Sequence, residues 1–212
     1  MNYDVLFGVS TLFGLILGLV LHEFAHALMG HYLGDTTAKD QGRLTLNPFA
    51  HISVVTTLLL PIFLYIAHLP VFAAAKPVPF NPWALRGGRW GAAAVAAAGP
   101  VTNLLIALIL SGWLHLAAGN SAIAFTALGA IIQVNVGLFI FNLIPLPPLD
   151  GSRVLYAMAS PGIRDVMDRI EQGGLAVIFV MVLLLSYTPL GQLLYQAISG
   201  LTALLIPSSI LP

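Results

Sequence analysis

Four stretches of the chain contain no Asp, Glu, Lys or Arg: 18 residues from Val5 to His22, 32 from Leu44 to Ala75, 60 from Trp90 to Leu149 and 41 from Gln172 to Pro212. A bilayer crossing needs about 20 mostly apolar residues, so several crossings fit and a large extramembrane domain does not. Only 8% of the residues are charged, against about a quarter in a soluble domain. That is too few to coat a globule against water. The fold implied is an all-α polytopic membrane protein, a helical bundle with re-entrant or short β elements between its main segments. No Lys/Arg cluster is dense enough to neutralise a run of phosphates, so nucleic acid is not expected as a partner. Cysteine is absent, which leaves only nitrogen and oxygen donors for any metal. The opening Met-Asn-Tyr-Asp lacks a basic region, so the first apolar stretch does not resemble a removable signal peptide.

Segments are expected from about Val5 to Leu33, Gly91 to Ala118 and Ser121 to Leu143, with an interfacial helix from Ser152 to Gln172 and one crossing plus a tail, or two short crossings, after Gly173. Gly14 and Gly18, then Gly30 and Gly34, have the small-xxx-small spacing that lets helix backbones approach. Ile52 to Ala75 is cut by Pro61 and Pro70 into pieces too short to span. The polar connector Asp35 to Pro48 reads as a loop or small hairpin. Lys76 to Trp83, with Pro at every second or third position, reads as an extended or re-entrant strip.

The chemistry is concentrated in His22-Glu23-Phe24-Ala25-His26. On a helix, i and i+4 lie on one face, so two imidazoles can grip one ion while Glu23 stands beside them to handle a proton. With six His in the chain, shuffled composition gives this pattern on the order of one time in a thousand. Ionisable groups inside an otherwise transmembrane segment are expensive unless paired, and a divalent cation removes that cost. Catalytic zinc takes three protein ligands and keeps one position open, so a third ligand is needed. Met29 and Tyr32 stand where a metzincin needs Gly and His. Glu171 would fit a thermolysin-like scheme but lies in a charged stretch. Asp150 is an isolated acid behind the stiff Pro145-Leu-Pro-Pro-Leu149 and ahead of Gly151, where a sharp turn is permitted.

Together, His22-Glu-Phe-Ala-His26, Gly99-Pro-Val-Thr-Asn103 and Asn142-Leu-Ile-Pro-Leu-Pro-Pro-Leu-Asp150-Gly151 resemble the site-2 proteases, intramembrane zinc metalloproteases. The likeness runs from about Leu6 to Leu155 and implies a short member without PDZ or CBS modules. It implies one Zn2+ per chain held by His22, His26 and Asp150, with Glu23 as general base and acid. It also implies that Asn142 helps hold substrate or stabilise charge, and that Asn103 is a packing or substrate-side residue. The connector Thr36 to Leu46, Thr45 included, could offer a strand edge to an unwound substrate. The expected partners are a transmembrane protein substrate and the bilayer. On this reading residues 1–212 form a single membrane-embedded domain, with a catalytic core of about 5–155 and an interfacial helix and apolar segments over 152–212. The rival reading is a transporter or ion-permeation component using intramembrane His, Glu and Asp.

The two metal motifs end their segments, so they share one depth only if an odd number of crossings separates them. Gly91 to Ala118 supplies one, which makes Ile52 to Ala75 a dip or an interfacial piece. All eight Lys and Arg fall between residues 39 and 43, 76 and 89, or 153 and 169. The positive-inside rule puts those loops in the cytoplasm, giving a multi-pass protein of the cell membrane with its metal toward the cytoplasmic side.

Overall fold

Asn2 starts the first helix by accepting hydrogen bonds from the amides of Asp4 and Val5, satisfying donors that a helix start leaves open. Helix α1 then runs Tyr3–Tyr32 in this computed structural model, which describes residues 2–68, 75–117 and 121–206. It ends where Gly34 adopts φ +104°, a conformation that favours glycine. Helices α4, Arg89–Ala117, and α5, Ala122–Asn142, are the other two long apolar helices, and each of the three is long enough to cross a membrane. They pack on one another pairwise. Gly14 and Gly18 face α5, where a Cβ on Gly14 would lie 3.0 Å from the Ile131 backbone. A Cβ on Gly30 would meet nothing within 4 Å, so that glycine serves no close helix contact among the described residues.

Between α1 and α4 the chain makes only short pieces: α2, Thr37–Asp40, a 3-10 turn at Pro48–His51, a π-helical turn at Val54–Leu59, and α3, Leu60–Ile66. The apolar run Val54–Ile66 is too short to span. Among the described residues one long helix, α4, thus lies between α1, which carries the histidines, and α5, which leads into the Asp150 motif; residues 69–74 of the Pro-cut stretch lie outside them. The described residues contain no strand, and the connector after α1 is not a hairpin. Asp35 is the reason: its Oδ1 accepts from the Thr37 amide at 2.9 Å and the Thr37 hydroxyl at 2.6 Å, which turns the chain into α2.

The same carboxylate ties the proline strip down, since its Oδ2 accepts from the Asn81 amide at 2.6 Å. Arg86 fastens the other end by donating to the carbonyls of Tyr32 and Leu33, which terminate α1. Burial alone would raise the Asp35 carboxyl, but the bonds from Thr37 and Asn81 hold it below its ordinary value of 3.8. Its stabilising contribution is therefore full above pH 3.8 and disappears as the pH falls through the lower folded value. Asp35→Ala is expected to speed proteolytic nicking of the strip at pH 7, as followed by limited proteolysis. An acid-active protease should find the two proteins converging as the wild-type carboxyl protonates.

The expected interfacial helix over 152–172 is two helices, α6, Asp150–Met158, and α7, Pro161–Gln172. Ser160 is extended and Pro161 opens the second helix, because proline suits a first turn and disfavours helix in the residue before it. The ion pair of Arg153 with Glu171 and the bond from the Tyr156 hydroxyl to Asp168 hold α7 against α6. Helix α8, Leu175–Tyr187, follows at a bend of 98° from α7, and α9, Pro189–Leu205, packs against α5 and α8. With the bent pair counted as one span the described residues contain up to four candidate crossings.

Candidate metal centre

Two turns before its end, α1 directs His22 and His26 into the space beneath α4 and α6. The rings meet edge to face with centroids 4.5 Å apart. Their Nε2 atoms lie 3.0 Å from each other, and Asp150 Oδ2 lies 3.1 Å from His22 Nε2 and 3.3 Å from His26 Nε2. Tetrahedral zinc with bonds of about 2.0–2.1 Å spaces neighbouring ligand atoms about 3.3 Å apart, close to the edges of this triangle. Among the described residues this is the one group of three such side chains able to share an ion.

The outer nitrogens of both rings are engaged. His26 Nδ1 lies 2.7 Å from the Val95 carbonyl, which only accepts, so it carries the proton. His22 Nδ1 lies 2.6 Å from Asn103 Oδ1. A neutral ring that donates from Nδ1 has a bare lone pair at Nε2. Both lone pairs therefore face a buried carboxylate oxygen that has no hydrogen-bond partner among the described residues. An anion and two imidazole lone pairs call for a cation between them.

Two glycines make the convergence possible. A Cβ on Gly99 would sit 2.5 Å from His26 Nε2 and 2.6 Å from His22 Nε2, against the two ligand nitrogens. A Cβ on Gly151 would collide with the Leu143 and Ile144 carbonyls at the end of α5. Gly151 is helical, at the second position of α6, and φ is positive elsewhere. Its role is close approach of two backbones rather than the sharp turn expected from sequence. Pro100 lies inside α4 and removes the amide that would bond the Ala96 carbonyl, beside the Val95 carbonyl that receives His26.

Glu23 is 8% exposed and belongs to no ligand triangle. Its charge interacts with His26 and with Arg43. Arg43 was read from sequence only as part of a polar connector, but it is 5% exposed. Its Nη2 donates to the Lys76 and Pro77 carbonyls of the proline strip, while Nε and Nη1 have no hydrogen-bond partner among the described residues. Burial draws its pKa below the usual guanidinium range and the Glu23 carboxylate opposes that. A buried cation beside the only acid of α1 outside its first turn is a feature that the position of Arg43 in the sequence did not signal.

The remaining expected site residues are placed differently. Asn103 is fully buried behind His22. Asn142, at the end of α5, is half-buried and donates from Nδ2 to the Leu138 carbonyl of its own helix. Thr45 lies in a bend, not on a strand; its hydroxyl accepts from the Asn47 amide and its carbonyl faces His51 Nε2. Glu171 is paired with Arg153, which removes it as a rival third ligand. His115 bonds the Ser111 carbonyl of its own helix.

Comparison with known proteins gives concordant likenesses. A family model described as Peptidase family M50 matches residues 110–185. "Putative zinc metalloprotease YwhC" of Bacillus subtilis is 38% identical over 186 residues, covering 84% of this chain and 80% of that protein. "Putative zinc metalloprotease Rip2" of Mycobacterium tuberculosis H37Rv is 30% identical over 189 residues, covering 85% of this chain and 68% of that protein. The protein of the same name from Mycolicibacterium smegmatis is 25% identical over 176 residues, with 82% and 67% covered. No solved structure matches the chain.

Proposed function

Because the chain belongs to peptidase family M50, the family of the site-2 proteases, we propose that it is an intramembrane zinc endopeptidase hydrolysing peptide bonds in or near the transmembrane segments of other membrane proteins. The observation that carries this reading is the convergence of His22 Nε2, His26 Nε2 and Asp150 Oδ2, with Glu23 buried alongside. These three atoms would hold the zinc ion, which when bound supplies the Lewis acidity that acidifies water and polarises a carbonyl. Glu23 takes the proton released as water adds to the scissile carbonyl carbon, and returns it to the departing amine nitrogen. One N–H of the Asn142 amide is committed to Leu138; the other is the donor this reading assigns to the carbonyl oxygen of the substrate.

An ion path would need ionisable groups spaced along the bundle. Among the described residues, the buried ionisable groups of the three long helices are His22, Glu23 and His26, all within five positions of α1. That clustering favours a reaction centre over a permeation route. A helical substrate hides its carbonyls in i to i+4 bonds, so it must unwind before attack. Substrates with Gly, Asn or Pro near their cytoplasmic end should be cleaved faster than an all-leucine span of equal length.

The direct test is metal analysis of purified protein in detergent, paired with cleavage of a transmembrane peptide in proteoliposomes. Wild type should carry one zinc per chain, and His22→Ala and Asp150→Ala should each lose it along with cleavage. Retention of stoichiometric zinc in both variants would refute the ligand set. The arrangement of Lys and Arg supports a cytoplasm-facing centre in the cell membrane. Single cysteines introduced between Asp35 and Pro48 and between Lys76 and Trp90 are expected to react from the cytoplasmic side alike. Labelling of the two loops from opposite sides would overturn that topology.

A further inference from the structure

Behind His22 the hydrogen bonds run in one direction through three helices. Asn135 on α5 is fully buried and its Nδ2 donates to the Ile131 carbonyl at 2.9 Å. That leaves its Oδ1 to accept, and Asn103 Nδ2 on α4 donates to it at 3.0 Å. The same Nδ2 donates to the Gly18 carbonyl of α1 at 3.1 Å. With its amide nitrogen committed to two acceptors, Asn103 can present only Oδ1 to His22 Nδ1, 2.6 Å away. Carbonyl groups cannot donate, so the sequence of bonds from Ile131 to His22 cannot reverse. Gly18 keeps the pieces in register, because a Cβ there would lie 2.8 Å from Asn135 Oδ1 and 3.3 Å from Asn103 Nδ2.

We infer that Asn135 is a positioning residue for the metal: acting through Asn103, it fixes the proton of His22 on Nδ1 and keeps Nε2 as the lone pair turned toward Asp150 and His26. The inference rests on the zinc reading above. An uncommitted Asn103 amide could rotate and offer its NH2 to Nδ1, which would drive the ring proton to Nε2, into the space the ion requires. In wild type that rotation loses two donor bonds and sets Asn103 Oδ1 against both the Gly18 carbonyl and Asn135 Oδ1. Without the Asn135 acceptor only Gly18 opposes it. On this inference Asn103, expected from sequence as a packing or substrate-side residue, orients a ligand from behind.

The test measures zinc affinity by chelator competition for wild type, Asn135→Leu, Asn135→Asp and Ile132→Ala. His22→Ala and Asp150→Ala serve as controls for the metal site itself. Asn135→Leu, close in volume but unable to accept, should weaken zinc binding by about 10-fold or more. A buried carboxylic acid at that position donates to Ile131 and accepts from Asn103, so Asn135→Asp should retain most of the wild-type affinity. Ile132→Ala, which removes packing on the same helix, should lower the melting temperature without moving the zinc affinity. Nitrogen-15 histidine spectra of metal-free wild type, at a pH where the ring is neutral, should place the His22 proton on Nδ1. An Nε2 proton there would overturn the inference whether or not any variant folds. So would wild-type affinity in Asn135→Leu, or equal losses in the Leu and Asp variants, or a matching loss in Ile132→Ala. If His22→Ala and Asp150→Ala bind zinc normally, the metal reading has failed; if they lose it while Asn135→Leu does not, only the relay has.

Discussion

Glu23→Gln is expected to slow peptide hydrolysis by about 10²- to 10⁴-fold while leaving one zinc per chain in place. Glutamine has the shape of glutamate but cannot accept a proton, so the substitution separates proton transfer from metal binding. The separation is clean because Glu23 stands outside the triangle formed by His22, His26 and Asp150. Burial at 8% exposure also denies bulk water easy access as a substitute base. Cleavage of a reconstituted transmembrane substrate, measured beside metal content in the same preparation, decides the matter. Activity near wild type in the Gln protein would remove Glu23 from the mechanism, and loss of zinc would mean that it holds the ion.

Adding one methyl group is expected to be almost as damaging as deleting a ligand. In Gly99→Ala the new carbon would stand 2.5 Å and 2.6 Å from the two Nε2 atoms, well inside van der Waals contact. Relief requires α4 to withdraw or the rings to turn, and either movement spoils ligand positions that metal sites tolerate to only about 0.2 Å. The affinity for zinc should fall by about 100-fold or more, beyond the usual effect of a change behind the ligands. The clash is present without metal too, and overpacking costs about 1–3 kcal/mol against the roughly 1 kcal/mol by which alanine is the better helix former, so the metal-free melting temperature should fall modestly. Chelator competition and a melting curve of the metal-free protein check both halves. Normal zinc affinity in Gly99→Ala would show that α4 is not held over the site.

The parts of this centre that were legible in the sequence are those with a local or chemically isolated signature. His22 and His26 announce themselves through helical spacing, and Asp150 through its solitude behind a proline run. Apolar length gave the three long helices, with boundaries within about two residues. What escaped depended on partners distant along the chain. Asn103 was readable as unusual, but its role is set by Asn135, 32 positions away on another helix. Arg43 looks like any connector cation until the proline strip folds across it and supplies two carbonyls. Asp35 illustrates a different limit: β-favouring Thr36 and Thr37 suggested a strand, and one carboxylate accepting twice from Thr37 made a helical turn instead. The break at Pro161 was visible as Ser-Pro, and charge periodicity masked it.

The two imidazoles and the carboxylate that face each other belong to regions separated by more than a hundred residues, on α1 and at the first position of α6. A nascent chain emerging from the ribosome thus delivers a half-site first, and the catalytic charge set exists only after α4 and α5 have been threaded and α6 has docked. Premature termination anywhere before that point leaves an inert fragment. Proteolytic capacity is in this way gated by synthesis and docking of the segment that carries Asp150.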